Sequence, residues 1–110
     1  MKVSIDDISG KIVKNNDTYI VIDNTELNGL VVSKTILHPD KETTGHIHPG
    51  QEEVYQFMHG AGRMQVGDQT FSVRAGDVIL IPDGLFHKVF NDSSCEDLTF
   101  LCVFDGKRSH

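Results

Sequence analysis

Two imidazoles and two carboxylates stand close together in the stretch Gly45-His46-Ile47-His48-Pro49-Gly50-Gln51-Glu52-Glu53-Val54-Tyr55. On a strand, residues two apart project to the same face. His46 and His48 then present their rings together and can meet one cation. After the Pro49-Gly50 turn the chain returns as a strand. There Glu53, Tyr55, Phe57 and His59 share one face, and Val54, Gln56 and Met58 share the other. A carboxylate delivered beside two imidazoles makes a mixed nitrogen and oxygen donor set, which suits a divalent transition metal. Glu52 and Glu53 point to opposite faces. Glu53 shares its face with Tyr55 and Phe57, so it is the inward candidate. Tyr55 is the candidate proton carrier beside such a metal, and His59 continues its face near the strand end, where exposure to solvent is the default.

A second stretch is built for a sharp reversal: Gly76-Asp77-Val78-Ile79-Leu80-Ile81-Pro82-Asp83-Gly84-Leu85-Phe86-His87-Lys88-Val89-Phe90-Asn91. A strand ends at Pro82, which cannot donate to a ladder. Gly84 permits the turn, and His87 opens the next strand. A His-x-His pair alone is weak grounds for a metal site. Its conjunction with this second stretch changes the odds.

The elements that must position these residues are strands. Thr18–Ile22, Leu30–Leu37, Val54–Met58, Arg63–Val66, Thr70–Val73, Val78–Ile81, His87–Phe90 and Leu98–Phe104 are β-branched or apolar, with Gly, Pro, Asn and Asp clusters between them. That rhythm predicts an all-β sandwich or barrel. Val66-Gly67-Asp68-Gln69-Thr70 reads as a hairpin turn. Ile5–Ile8 reads as one helical turn capped by Ser4, with Asp7 three residues on. Lys34 shares a face with Val32 and Ile36 and is a candidate to point inward. Arg63 has the planar fork that grips a carboxylate or phosphate, with solvated surface as its default.

A chain of 110 residues suits one domain. The formal net charge is −6 and no run of Lys or Arg stands out. Nucleic-acid binding is therefore not expected, because it needs clustered cations. No segment approaches the ~20 apolar residues of a membrane span. The N-terminal segment has no apolar signal core, so cytoplasmic residence is the default expectation. Cys95 and Cys102 lack a C-x-x-C spacing and are expected to be thiols in a reducing compartment, Cys102 within an apolar run and Cys95 in a polar loop. The end of the chain, Gly106-Lys107-Arg108-Ser109-His110, reads as a solvated tail.

The two stretches resemble the paired motifs of the cupin superfamily. The first motif, G-x5-H-x-H-x3–4-E-x6-G, is matched at His46, His48, Glu53 and Gly60, and its first glycine falls on Asp40, a departure that touches the local turn and not the ligands. The second, G-x5-P-x-G-x2-H-x3-N, is matched throughout at Gly76, Pro82, Gly84, His87 and Asn91. With roughly 5% usage per residue type, that second match arises by chance on the order of once in a million starting positions. The resemblance covers about residues 27–104. It implies a double-stranded β-helix, or jelly-roll barrel, with one divalent metal (Fe, Mn, Ni, Zn or Cu) held by His46, His48, Glu53 and His87. The stretches 45–48, 53–55 and 60–64 also resemble the cupin-type glucose-6-phosphate isomerases of archaea, which are longer chains. That resemblance implies sugars as ligands.

Three functions follow as expectations. The first is a small metal-dependent isomerase, epimerase or lyase acting on a sugar or similar oxygenated metabolite. The second is an Fe or Cu dioxygenase. The third is a small-molecule binding or sensing module without turnover. A homodimer is expected from the need to cover sheet edges, with Lys11–Ile22 as the segment that crosses.

Overall fold

Alternating side chains wrap two antiparallel sheets around one interior. A computed structural model describes residues 1–106. The cationic tail at Lys107–His110 lies outside the described residues. The strands are β1 (Lys11–Asn15), β2 (Tyr19–Asn24), β3 (Leu30–Leu37), β4 (Glu53–His59), β5 (Ala61–Val66), β6 (Gln69–Arg74), β7 (Val78–Ile81), β8 (His87–Phe90) and β9 (Leu98–Asp105). The larger sheet runs β1-β2-β3-β9-β4-β7 and the smaller runs β6-β5-β8. The fold is all-β, a double-stranded β-helix. No helix among the described residues is long and apolar enough to cross a membrane.

The inward face of β4 is the one that strand alternation predicts. Along β4, Glu53, Tyr55 and Phe57 are buried while Val54 and Gln56 are exposed. Along β9, Leu98, Phe100, Cys102 and Phe104 turn inward. Phe57, Phe100, Leu37, Met64, Leu98, Val73 and Val89 are the largest side chains fully removed from solvent. Tyr55 stacks on Phe100 with ring centroids 5.3 Å apart. This aromatic layer fills one part of the barrel and leaves the neighbouring part to the histidines.

β1 was not foreseen. All five of its residues are exposed, so it carries no apolar alternation to read. It is an edge strand with two lysines, the arrangement that discourages pairing with foreign edges. It pairs with β2 of the same chain, with a bulge between Ile12 and Lys14. The hairpin at Gly67 is as expected: Val66 pairs with Gln69, and of the two turn residues Gly67 takes φ 60°, as type II′ requires. Asp40, which stands where the motif has glycine, adopts φ 62°. Aspartate is among the few non-glycine residues that tolerate this region, so the turn survives the exchange.

The capped turn near the N-terminus is present as a single turn. Ile8 N–H donates to Ser4 O at 2.7 Å, and Ser4 Oγ accepts Asp6 N–H at 3.2 Å. It stops where Ile8 and Ser9 both take φ 49°. A β-branched residue there is strained. Burial of Ile8 to 2% exposure and the Asn24 amide bound to its carbonyl hold it in place. Lys34 does not reach the interior. Its ammonium lies under this turn and donates to the carbonyls of Ile5 and Asp6 at 2.9 and 2.6 Å. The physical reason is register: Ser33 and Thr35 take the inner face of β3, and Lys34 must take the outer one.

Gly60 has φ 88°, and a Cβ on it would stand 2.5 Å from the Asp97 carbonyl oxygen. Gly60→Ala should therefore destabilise the protein by about 2 kcal/mol, from the left-handed backbone and the crowding together. Urea denaturation would register this as a lower midpoint at unchanged slope.

Candidate metal centre

Two local devices place the three imidazoles. His46 and His87 are paired backbone to backbone: His46 N–H donates to His87 O at 3.2 Å, and His87 N–H donates to His46 O at 3.1 Å. This isolated bridge is what joins the first stretch to β8. His48 follows in a loop, since the segment 45–48 is not a continuous strand. Its approach depends on the turn that ends the loop. Gly50 N–H donates to Asp83 Oδ1 at 2.6 Å, and Gln51 Nε2 donates to Asp105 O at 2.6 Å. These two contacts tie the loop to the β7–β8 connection and to the end of β9.

One nitrogen from each of His46, His48 and His87 lies within 4.8 Å of the others. The ring centroids of His46 and His48 are 4.3 Å apart, and those of His46 and His87 are 4.8 Å apart. Nitrogens bound at about 2.1 Å to a common ion stand about 3–4 Å from one another. A small side-chain rotation therefore brings all three into range. His46 is exposed, His48 is half-buried and His87 is buried.

Glu53 enters by a separate contact. Its Oε2 is 2.9 Å from His87 Nε2, with both side chains at 2% exposure. Glu52, one residue earlier, faces solvent. His87 Nδ1 lies 3.1 Å from Leu85 O. An N–H donated from Nδ1 assigns the lone pair to Nε2. Nε2 and Oε2 then face each other as two acceptors, and only a proton or a cation between them makes 2.9 Å favourable. The donor set thus fits a divalent ion.

Burial is the largest single influence on the Glu53 carboxyl and pushes its pKa up. The hydrogen bond and charge of His87, the Cys102 thiol and the charge of His48 together outweigh it, and the carboxyl sits below its usual range. In metal-free protein, the stability this carboxylate contributes is present above the ordinary glutamate value near pH 4.3. It is lost as pH falls through the lower folded value. Proton competition for a bound metal therefore belongs to the imidazoles, which ordinarily titrate near 6.5 and bind only when neutral. Zinc affinity should be level above about pH 7.5 and fall steeply through about pH 6.5. Calorimetric titration across that range checks this, and an affinity unchanged at pH 5 would exclude nitrogen donors.

A cavity of about 380 Å³ adjoins the centre, and His46, Glu53, Tyr55 and Cys102 line it. Its lining also includes Lys14, Tyr19, Ser33, Thr35, Thr43 and Thr44. Tyr55 lines it with its ring edge-on to His87 at 5.8 Å. His59 lies elsewhere, exposed at the end of β4 and 3.8 Å from Glu96. Arg63 is engaged by Asp92 through contacts of 2.7 and 2.9 Å.

The sequence profile of the cupin domain matches residues 33–104. The chain belongs to the cupin family. An uncharacterized protein of Methanocaldococcus jannaschii is 35% identical over 80 residues, 73% of this chain and 57% of the relative. Another, from Streptomyces coelicolor, is 38% identical over 71 residues, 64% of this chain and 66% of the relative. This cupin thus spans less than two thirds of either relative's length. Among solved structures, an RmlC-like cupin from Shewanella frigidimarina superposes with a TM-score of 0.81 at 16% identity, covering 99% of this chain and 94% of that one. A predicted oxalate decarboxylase from Thermotoga maritima gives 0.76 at 24% identity, covering 96% and 98%. These superpositions establish the fold.

The hydroxyl-bearing wall was not legible in the cupin's sequence. Ser33 and Thr35 read as ordinary strand residues, and Thr43 and Thr44 as ordinary loop residues. Alternation alone would have put Ser33 and Thr35 on the inner face with Val31 and Leu37. Nothing local marks the loop threonines, which reach the cavity because Thr43 N–H is bound to Val89 O at 2.9 Å.

Proposed function

We propose that this cupin holds one divalent transition metal through His46, His48, Glu53 and His87 and uses it on a small oxygenated metabolite. Isomerisation or epimerisation of a sugar or sugar derivative is the leading reaction class. The observation that carries this reading is the convergence of three imidazoles within 4.8 Å, with His46 and Glu53 lining an adjoining cavity that also carries hydroxyl side chains. A volume near 380 Å³ suits a small molecule. Ser33 Oγ already donates to Asp23 Oδ1 at 2.6 Å and keeps its lone pairs, and Thr43 Oγ1 accepts Val89 N–H at 3.0 Å and keeps its proton. The hydroxyls together still offer both donors and acceptors to a ligand rich in hydroxyl groups.

Bound by this donor set, a divalent ion supplies Lewis acidity to substrate oxygens. The residues of the chain do the rest. Glu53 keeps its negative charge, because its carboxyl is held below the usual range. Ser33, Thr35, Thr43 and Thr44 orient substrate hydroxyls. Phe100 and Phe104 supply part of the apolar lining of the cavity. Tyr55 can hold or return a proton at its phenolic oxygen, on the same face of β4 as Glu53. His59, outside the cavity, has no part in this scheme.

The test is proton NMR of metal-loaded protein with a panel of aldoses, ketoses and small hydroxy- and dicarboxylic acids in deuterium oxide, with and without air. The dicarboxylic acids belong in the panel because oxalate decarboxylases are among the fold's neighbours. The expected result is metal-dependent, oxygen-indifferent exchange or conversion at a carbon beside a carbonyl. Turnover that requires oxygen would replace this reading with a dioxygenase. Line broadening by bound ligands without conversion would replace it with a binding module.

A further inference from the structure

We infer that Cys102 is a positioning residue for the carboxylate of the metal centre, an inference that rests on reading Glu53 as a metal donor. β4 and β9 run antiparallel with Glu53 opposite Phe104 and Tyr55 opposite Cys102. Cys102 is therefore the diagonal neighbour of Glu53 on the same inward face, within reach across the ladder. Its thiol donates to Glu53 Oε1 at 3.3 Å. Cys102 is 6% exposed and Glu53 is 4% exposed.

This contact divides the two carboxylate oxygens between two tasks. Oε1 is held by the thiol, and Oε2 faces His87 Nε2 at 2.9 Å. The terminal torsion of glutamate is broad and poorly fixed by its own rotamer preferences. A donor on one oxygen fixes the carboxylate plane and leaves the lone pairs of the other aimed at the centre. The surroundings explain why the donor is a thiol. Phe100 and Phe104 flank Cys102 on the inner face of β9, and Tyr55 faces it across the ladder. A cysteine packs there as a small apolar side chain while its S–H still donates weakly. Ligating carboxylates are themselves hydrogen-bonded, and loss of such an outer partner costs about 10–100-fold in metal affinity.

The test is cobalt(II) titration of metal-free protein, reading both the dissociation constant and the d–d absorption spectrum. Cys102→Ala and the better-filling Cys102→Val remove the donor. Each is expected to weaken cobalt binding by about 10–100-fold and to shift the d–d bands. Cys102→Ser restores a donor and should return both readouts toward wild type. In a Glu53→Gln background, which itself weakens binding, Cys102→Val should add nothing further. Wild-type affinity and spectrum in whichever of the two donor-less variants folds would overturn the inference. So would an equal loss in the Glu53→Gln background, which would make Cys102 a packing residue only. Glu53→Gln binding cobalt as tightly as wild type would instead overturn the donor role of Glu53, a separate failure.

Discussion

His48→Ala and His87→Ala should each leave the protein unable to retain a transition metal, where wild type is expected to purify with about one ion per chain. The loss in affinity should exceed the about 10–100-fold that follows removal of an outer hydrogen-bond partner, because a donor itself is gone. The two variants differ in what else they disturb. His48 is half-buried in a loop, so metal-free His48→Ala should unfold within about 0.5 kcal/mol of metal-free wild type. His87 is 2% exposed and faces Glu53 at 2.9 Å, so His87→Ala also leaves a buried carboxylate without that partner and lowers stability further. Metal-induced stabilisation separates binding from folding. At a metal concentration about 100 times its dissociation constant, wild type should gain about 2.7 kcal/mol. For a domain of this size that is a rise of roughly 10–20 °C in Tm. His48→Ala should gain nothing. Elemental analysis and paired melting curves with and without metal check both halves, and metal retained by both variants would refute the ligand assignment.

Asn91→Ala should be among the most damaging substitutions outside the metal centre, at about 3–5 kcal/mol. Asn91 is 3% exposed. The two protons of its amide are shared among the carbonyls of Leu37, His38 and Glu96 at 3.0, 3.1 and 2.8 Å, and its Oδ1 accepts Ser93 N–H at 3.0 Å. One side chain thus clamps the end of β3 to the loop before β9. Alanine would remove all four contacts; His38 O would keep Lys41 N–H at 3.3 Å, and a buried group left unpaired costs about 1–3 kcal/mol before relaxation. Asn91→Asp should be worse than alanine, since a carboxylate would face three carbonyl oxygens. The damage should reach the metal. The segment leaving β3 passes Lys41, whose carbonyl accepts Asn91 N–H at 2.8 Å, and continues to His46 and His48. A chemical melt of both variants, with zinc affinity measured on the folded fraction, tests the clamp. A cost below about 1 kcal/mol for alanine would mean that other contacts hold the loop.

Asn91 also shows how far one chain of residues speaks for itself. Its place in the second motif was visible, while its work as a three-carbonyl clamp was not. Those carbonyls belong to residues up to 54 positions away, and only folding brings them together. Lys34 makes the same point. Strand alternation set it opposite Ser33 and Thr35, but only the N-terminal turn supplied the carbonyls that receive its ammonium.

What the sequence by itself determined was periodic or local. Alternation assigned the inward face of β4, and with it Glu53 over Glu52. Proline and glycine spacing marked the turn before His87, and the motifs marked the fold. What only the tertiary structure decided was convergence: the bridge between His46 and His87, the loop ties that hold His48, the hydroxyl wall, and the thiol against Glu53. Contacts within a strand repeat every two residues and can be read from order alone. Contacts between sheets depend on how far each strand slides and twists against its neighbour, and no single segment encodes that.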